Sequence, residues 1–190
     1  MVGSGLLFSI LVLLAYCLKV PAADGIVRLY RNYDPALDQG PLQMVSSFRG
    51  LTEIIHVRRG SGLVLDWKQS GGSLLVGGDS RIIRVWDAHT ESQVLVRCHN
   101  QLAARFVHPA FQDLETNSES PVTSIISDQG SSSTFIAGFA DGVVKVFDRR
   151  LEEEDAVVRS YHEHHTWVQN VNYHSRIGGQ FLSARYVTLS

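Results

Sequence analysis

The chain has 190 residues, 17 basic against 19 acidic side chains and a net charge of −2, so it presents no broad polyanion-binding surface. Two cysteines, Cys17 and Cys98, supply neither a disulfide framework nor a zinc spacing and read as reduced thiols. The length suits one domain with a sizeable core.

Taken in order, Leu6–Leu18 is a nearly unbroken apolar run, shorter than the roughly 20 residues of a membrane span. Ala22 and Ala23 follow it as in a signal peptide, yet no Lys or Arg precedes it. A cleaved leader, a buried or surface-seeking helix, and an unrelated start joined to a partial protein all stay open. Residues 1–23 are treated as one apolar segment, expected to be helical, and residues 24–190 as the repeat region.

Asp24–Arg31 is the second half of a hairpin: an Asp-Gly turn, then Ile26, Val27, Leu29 and Tyr30. Pro21 cannot donate to a ladder, so no strand is expected before this turn, and the repeat is entered halfway. Asn32–Pro41 reads as a loop and Gln43–Phe48 as an outer strand. Leu51–Arg59 has no clear period and ends in the basic pair Arg58-Arg59, which reads as a solvated loop. Gly62–Gln69 is an inner strand. Ser73–Asp87 is the best hairpin: an apolar strand, the turn Asp79-Ser80-Arg81, and a β-branched strand ending in Trp86-Asp87. Arg84 breaks the apolar run and is expected to face outward. Gln93–Arg97 is the expected outer strand, Gln101–Phe111 a connection, and Asp113–Ser120 a polar loop.

Pro121–Ser127 opens a third unit, whose hairpin Thr134–Asp148 carries Asp141-Gly142 at its turn, Lys145 in the place of Arg84, and Phe147 at its end. Glu152–Asp155 is an acidic turn, and Ala156–Tyr161 closes the unit. His165–Tyr173 and Gln180–Ser183 begin a fourth, for which no matching Asp-Gly turn follows. The ring-bearing strand ends, Tyr30, Trp86 and Phe147, recur at wider intervals than the about 40–45 residues of a propeller blade. The excess is assigned to loops.

These features resemble WD40 repeats. Arg49–Asp87, Phe139–Leu151 and Tyr161–Val171 are, more specifically, similar to the carboxy-terminal propeller of the Raptor family, scaffold subunits of target-of-rapamycin kinase complex 1. The carrying features are the Gly-Leu after the first outer strand, the Arg-Gly before Val-Leu-Asp-Trp, and the Asp-Arg-Arg after the third hairpin. The resemblance implies an all-β fold, a partial propeller of three to four blades with incomplete first and last blades. The repeat residues it implies are Asp24, Tyr30, Asp79, Trp86, Asp87, Asp141, Phe147, Asp148 and His165.

In such blades a His, Ser, Asp and Trp often share one hydrogen-bonded chain. In the Ser73–Asp87 unit only Asp79 and Trp86 are available for it, and Phe147 has no ring donor, so the next unit cannot complete it. The implied role is a non-enzymatic scaffold in nutrient and growth signalling. The implied partners are the target-of-rapamycin kinase, its substrates and small GTPases at the lysosomal surface, in a cytoplasmic setting. Neither a nucleic acid nor a cofactor is implied, and a membrane enters only through the first segment. The rival reading is a secreted or membrane-tethered propeller with Leu6–Leu18 as leader.

No catalytic constellation is present. His162, His164 and His165 flank Glu163, but neighbours in an extended chain face opposite ways, so no metal is expected. Gly71-Gly72 and Gly77-Gly78 lie at hairpin turns, not before a helix. Arg81, Arg149 and Arg150 are the candidate protein contacts, and Ser120-Pro121 a candidate phosphorylation motif. A partial propeller is expected to be marginal or aggregation-prone alone.

Overall fold

The hairpin with the strongest sequence signal forms the centre of a four-stranded antiparallel sheet in a computed structural model. The structure describes residues 18–21, 25–31, 43–56, 60–68, 71–87, 111–128, 130–131, 133–174 and 180–185. The chain divides into two units, residues 1–50 and 51–190. Among the described residues regular structure is all β apart from the 3-10 turn Glu153–Asp155 and Gly71, which is also in 3-10 conformation.

The first unit holds a three-stranded sheet of β1 (Leu18–Pro21), β2 (Ile26–Arg31) and β3 (Gln43–Arg49), ordered β1-β2-β3. The strand not expected before the first turn is therefore present, pairing Leu18 with Tyr30 and Pro21 with Val27. Pro21 is tolerated because it is the strand's last residue and β1 lies at a sheet edge, where one face of the ladder needs no donor. Val27 and Leu29 alternate inward on β2 and are buried. Of residues 1–23, expected to be helical, Leu18–Pro21 form a strand instead, held by their ladder to β2, and the others lie outside the described residues.

The second unit stacks two complete blades and part of another. The first blade is β4 (Leu63–Lys68), β5 (Ser73–Gly78), β6 (Ile82–Asp87) and β7 (Phe111–Glu115), in chain order across the sheet. Gln93–Arg97, expected as the outer strand, lies outside the described residues, and that place is taken by Phe111–Glu115, of which Phe111 belongs to the expected connection and Asp113–Glu115 to the expected loop. The edge strand needs only one inward apolar residue, the buried Leu114, while Asp113 opposite Arg84 binds it by paired hydrogen bonds of 2.7 and 2.6 Å. A strand that polar carries no apolar period to read.

The second blade is β8 (Val122–Ser127), β9 (Thr134–Phe139), β10 (Val144–Asp148) and β11 (Val157–Tyr161), as the sequence indicated. A two-stranded sheet of β12 (Val168–Tyr173) and β13 (Phe181–Arg185) follows. Leu75, Ile83, Val85 and Leu114 of the first blade pack on Ile125, Phe135, Phe139 and Phe147 of the second, making the main core. Phe135 and Phe147 stack at 4.7 Å. Each such side chain, fully buried, contributes about 1.5–3 kcal/mol of transfer free energy. The opposite face of the second blade offers Ile136 and Val144 to Val168 and Val171.

Tyr30, Trp86 and Phe147 each occupy the last position but one of their strand. Each is flanked by the preceding and following strands: Tyr30 by Leu18 and Met44, Trp86 by Leu74 and Phe111, Phe147 by Phe135 and Val157. The three hairpins are thus equivalent in register.

Candidate functional site

The β5–β6 turn is the best-defined surface feature, and its shape begins with glycine. Gly78 has φ 134°, and a Cβ there would lie 1.9 Å from the Gly62 carbonyl oxygen. A Cβ on Gly60 would lie 2.0 Å from the Asp79 carboxylate. The absent side chains let residues 60–62 close over the turn. Asp79 then accepts hydrogen bonds from the Ser61 amide at 2.7 Å, the Ser61 hydroxyl at 3.2 Å and the Gly62 amide at 3.0 Å. Its carboxylate therefore serves the chain entering β4.

Ser80 is buried, its hydroxyl donating to the Thr52 carbonyl and accepting from the Ile82 amide at 3.1 Å. Arg81 is held by its main chain from both sides: its amide donates to Glu53 at 3.3 Å, and its carbonyl accepts from Thr116 at 2.8 Å. The side chain stays free to reach outward. It pairs with Glu119 at 2.5 Å, with the two side chains 55% and 76% exposed. Such a pair contributes no more than about 1 kcal/mol.

Around Arg81 lies an open cleft of about 340 Å³, lined by Glu53, Arg81, Glu115, Asn117, Ser118 and Glu119. Glu53 and Asn117, on two of its walls, have φ of 50° and 48°, left-handed values that side-chain-bearing residues seldom adopt. Three carboxylates face one guanidinium, so the cleft is net acidic. Sequence reasoning found Arg81 in its turn but missed the other walls, because Glu53 and Asn117 reach it from loops far away in the chain.

Arg149 and Arg150 do not join Arg81. Arg149 donates to the Ser73 hydroxyl at 3.3 Å, and its carbonyl accepts from Gln112 at 2.9 Å. Ser73 pairs with Asp87 at the far end of the β5–β6 hairpin from Arg81. Arg150 grips Asp148 through Nε at 3.0 Å and Nη2 at 2.6 Å. The guanidinium hydrogen bonds hold the Asp148 carboxyl below its ordinary range, and the Arg150 pKa rises in return.

Asp141 accepts from the Val143 amide at 3.0 Å and so shapes its own turn. Gly142, at φ 95°, lies so close to the His164 carbonyl that a Cβ would sit 2.3 Å from it. His165 is exposed, whereas His164 is partly buried and shares a 2.8 Å hydrogen bond with Ser183. Asp87 ends β6, and Asp24 lies outside the described residues. Among the described residues no three His, Cys, Asp or Glu side chains converge as metal ligands.

The expectation that Arg84 faces outward fails, and Lys145 in the matching place of the second blade is buried as well. Arg84 is partly buried, bound to Asp113 and set 5.1 Å from the Phe111 ring. Its pKa is raised, chiefly by the Asp113 hydrogen bond. Lys145 is only 8% exposed. It shares a strand face with Phe147, and that face is turned toward the first blade. Its ammonium donates to the Thr116 and Asn117 carbonyls at 2.7 and 2.8 Å. Burial pushes its pKa down.

Lys68 does the reverse across the same interface, donating from β4 to the Asp128 and Ser131 carbonyls. The sequence did carry a faint sign of this. In each case a lysine stands within or just after a run of large apolar residues, and its long stem can be buried while its head finds carbonyls.

No family model matches the chain. It is similar to the target of rapamycin complex 1 subunit KOG1 of Saccharomyces cerevisiae, 36% identical over 162 residues, covering 83% of this chain and 9% of that protein. It is also similar to subunit mip1 of the same complex in Schizosaccharomyces pombe, 32% identical over 88% of this chain and 11% of that protein. The raptor homolog of Dictyostelium discoideum is 34% identical over 84% of this chain and 10% of its own length. The crystal structure of Chaetomium thermophilum Raptor superposes with a TM-score of 0.65 at 34% identity, covering 89% of this chain and 13% of that one. The chain thus spans about a tenth of the length of these relatives.

Proposed function

From the premise that this chain is homologous to one segment of Raptor-type proteins, we propose that it acts as a non-catalytic scaffold segment within target of rapamycin complex 1. The observation that carries this reading is the identity to KOG1, spread over 83% of the chain. The register of successive blades supports it, since loops between rigid sheets are suited to presenting side chains to other proteins. The same premise extends to the finer partners: the target-of-rapamycin kinase directly, and its substrates and small GTPase recruiters through the complex. We propose in addition that it works in the cytoplasm and at the lysosomal surface.

Arg81 is the first contact position to test, because its main chain is fixed on both sides while its guanidinium is exposed. The test is affinity purification of the tagged full chain from cells, with immunodetection of the kinase. Retention of the kinase is expected, reduced about tenfold by Arg81→Glu (roughly 1.4 kcal/mol). No retention above a tag-only control contradicts the scaffold reading.

The apolar run Leu6–Leu18 favours the second reading, a secretory-pathway propeller. Fractionation of the same tagged chain separates the two. Luminal protein with its amino terminus removed defeats the cytoplasmic reading.

A further inference from the structure

The wall of the Arg81 cleft formed by Asn117, Ser118 and Glu119 belongs to the segment joining the two complete blades. Its internal bonds are few and polar. The Thr116 hydroxyl donates to the Ser118 carbonyl at 3.3 Å, and the Ser120 amide donates to the Ser118 hydroxyl at 3.1 Å. One main-chain bond, from the Thr116 amide to the Arg81 carbonyl, ties it to the β5–β6 turn. The exposed Arg81–Glu119 pair adds a second tie to that turn, and the buried anchor comes from the other blade, where the ammonium of Lys145 holds the Thr116 and Asn117 carbonyls together.

We infer that residues 116–120 form a strap whose position is set by Lys145, so that the shape of the cleft on one blade is governed by the blade behind it. The chemistry favours such a latch. Thr116 is fully buried, and a buried carbonyl without a donor costs far more than an ordinary hydrogen bond gains. Two neighbouring carbonyls that share one ammonium therefore let go together. Asn117, with φ 48°, lies in the part of the strap the ammonium grips, so release frees a backbone conformation that is unfavourable by itself.

The surroundings of Lys145 are otherwise apolar or distant in charge. The Phe139 ring lies 5.3 Å from Nζ, and Asp141 in the adjoining turn is the acid whose charge acts on it. Lys68 marks the contrast. It clasps the opposite end of the same interface, on the Asp128 and Ser131 carbonyls, where no cleft residue is attached. A partner that seats in the cleft would accordingly be sensitive to the packing of β10, and blade packing would respond to occupancy of the cleft.

Amide hydrogen exchange of the full chain tests this. Lys145→Met is expected to speed exchange at the Thr116 and Ser120 amides at least tenfold, while β9 and β10 amides change less than twofold. Lys145→Arg, which keeps a long cationic donor, restores most of the protection. Lys68→Met speeds exchange at Asp128, whose amide bonds to Thr134, and leaves Thr116 unaltered.

Unchanged exchange at Thr116 in Lys145→Met overturns the latch, as does equal acceleration along β9 and β10. Should Lys145→Met fail to fold, native-state exchange of the unaltered chain in low urea decides instead. The latch requires Thr116 to open with the Phe139 and Gly142 amides of the second blade. Opening in step with β6 and β7 alone overturns it.

Discussion

The second unit contains two interfaces between successive sheets, and they are built differently. Between β4–β7 and β8–β11 the core is broad, with three phenylalanines, and its two ends are clasped by Lys68 and Lys145 reaching in opposite directions. Asp66 adds a carboxylate that accepts from the Ser127 amide at 2.8 Å. Between β8–β11 and β12–β13 the core is small, and the polar links are hydroxyls. Thr123 donates to the Val168 carbonyl at 2.6 Å, and Ser124 accepts from the Val171 amide at 3.1 Å. Closeness there is achieved by leaving a side chain out, because a Cβ on Gly138 would lie 2.4 Å from a Val168 methyl. One repeat geometry is thus served by two solutions, bulk with buried charge in one place and close backbone approach in the other.

The contrast breaks first at Phe147. Phe147→Ala empties a fully buried site stacked on Phe135 and is expected to cost about 3–5 kcal/mol, read as a lowered urea midpoint. On a marginally stable chain that loss unfolds it. The second interface breaks by addition. Gly138→Ala forces Val168 aside and is expected to cost about 1–3 kcal/mol. A Gly138→Ala chain as stable as the parent would show that the sheets have room to separate.

Alkali sharpens the comparison, since the two interfaces respond with opposite signs. Burial lowers the Lys145 pKa, so the folded state carries an unfavourable charge at neutral pH. That cost is relieved as pH rises from the lowered value toward 10.5, which raises stability. Tyr173, packed at the second interface, is pushed up to about 12 by burial, with the Asp128 charge adding to it. Its neutral form is favoured by folding, so its contribution is complete below about pH 10 and lost as pH passes 12. For a partly buried ring, after allowance for solvent screening, this amounts to about 1 kcal/mol. Urea unfolding from pH 8 to 12 is expected to show the fall vanish in Tyr173→Phe and the rise vanish in Lys145→Met. The smallest effect belongs to Arg81→Ala, which removes an exposed ion pair and is expected to change stability by less than about 0.5 kcal/mol. A larger loss would make Arg81 structural.

Much of this was legible in the sequence, for reasons particular residues show. β5, β6, β9 and β10 announce themselves because their core positions are apolar on both faces, with Gly at the turns. β7 was hidden because an edge strand needs only Leu114 inside, and Gln93–Arg97 drew attention by its apolar run instead. β1 was hidden by Pro21, whose effect depends on its position within a strand. Lys145 reads as a surface residue until its carbonyl partners, distant in sequence, are known. The cleft was half legible for the same reason: Arg81 sits in a visible turn, while Glu53 and Asn117 are brought to it only by folding.

The face-to-face packing of the two complete blades is the claim on which the remainder depends, and an engineered disulfide tests it most directly. A Cβ built on Gly77 lies 3.4 Å from that of Val122, just under the about 3.5–4.5 Å a disulfide spans and within reach of a small side-chain shift. In a background with Cys17 and Cys98 replaced by serine, Gly77→Cys with Val122→Cys is expected to oxidise quantitatively in air and to resist urea better than its reduced form. Two free thiols persisting in the folded, oxidant-treated chain would contradict the stacked-blade account.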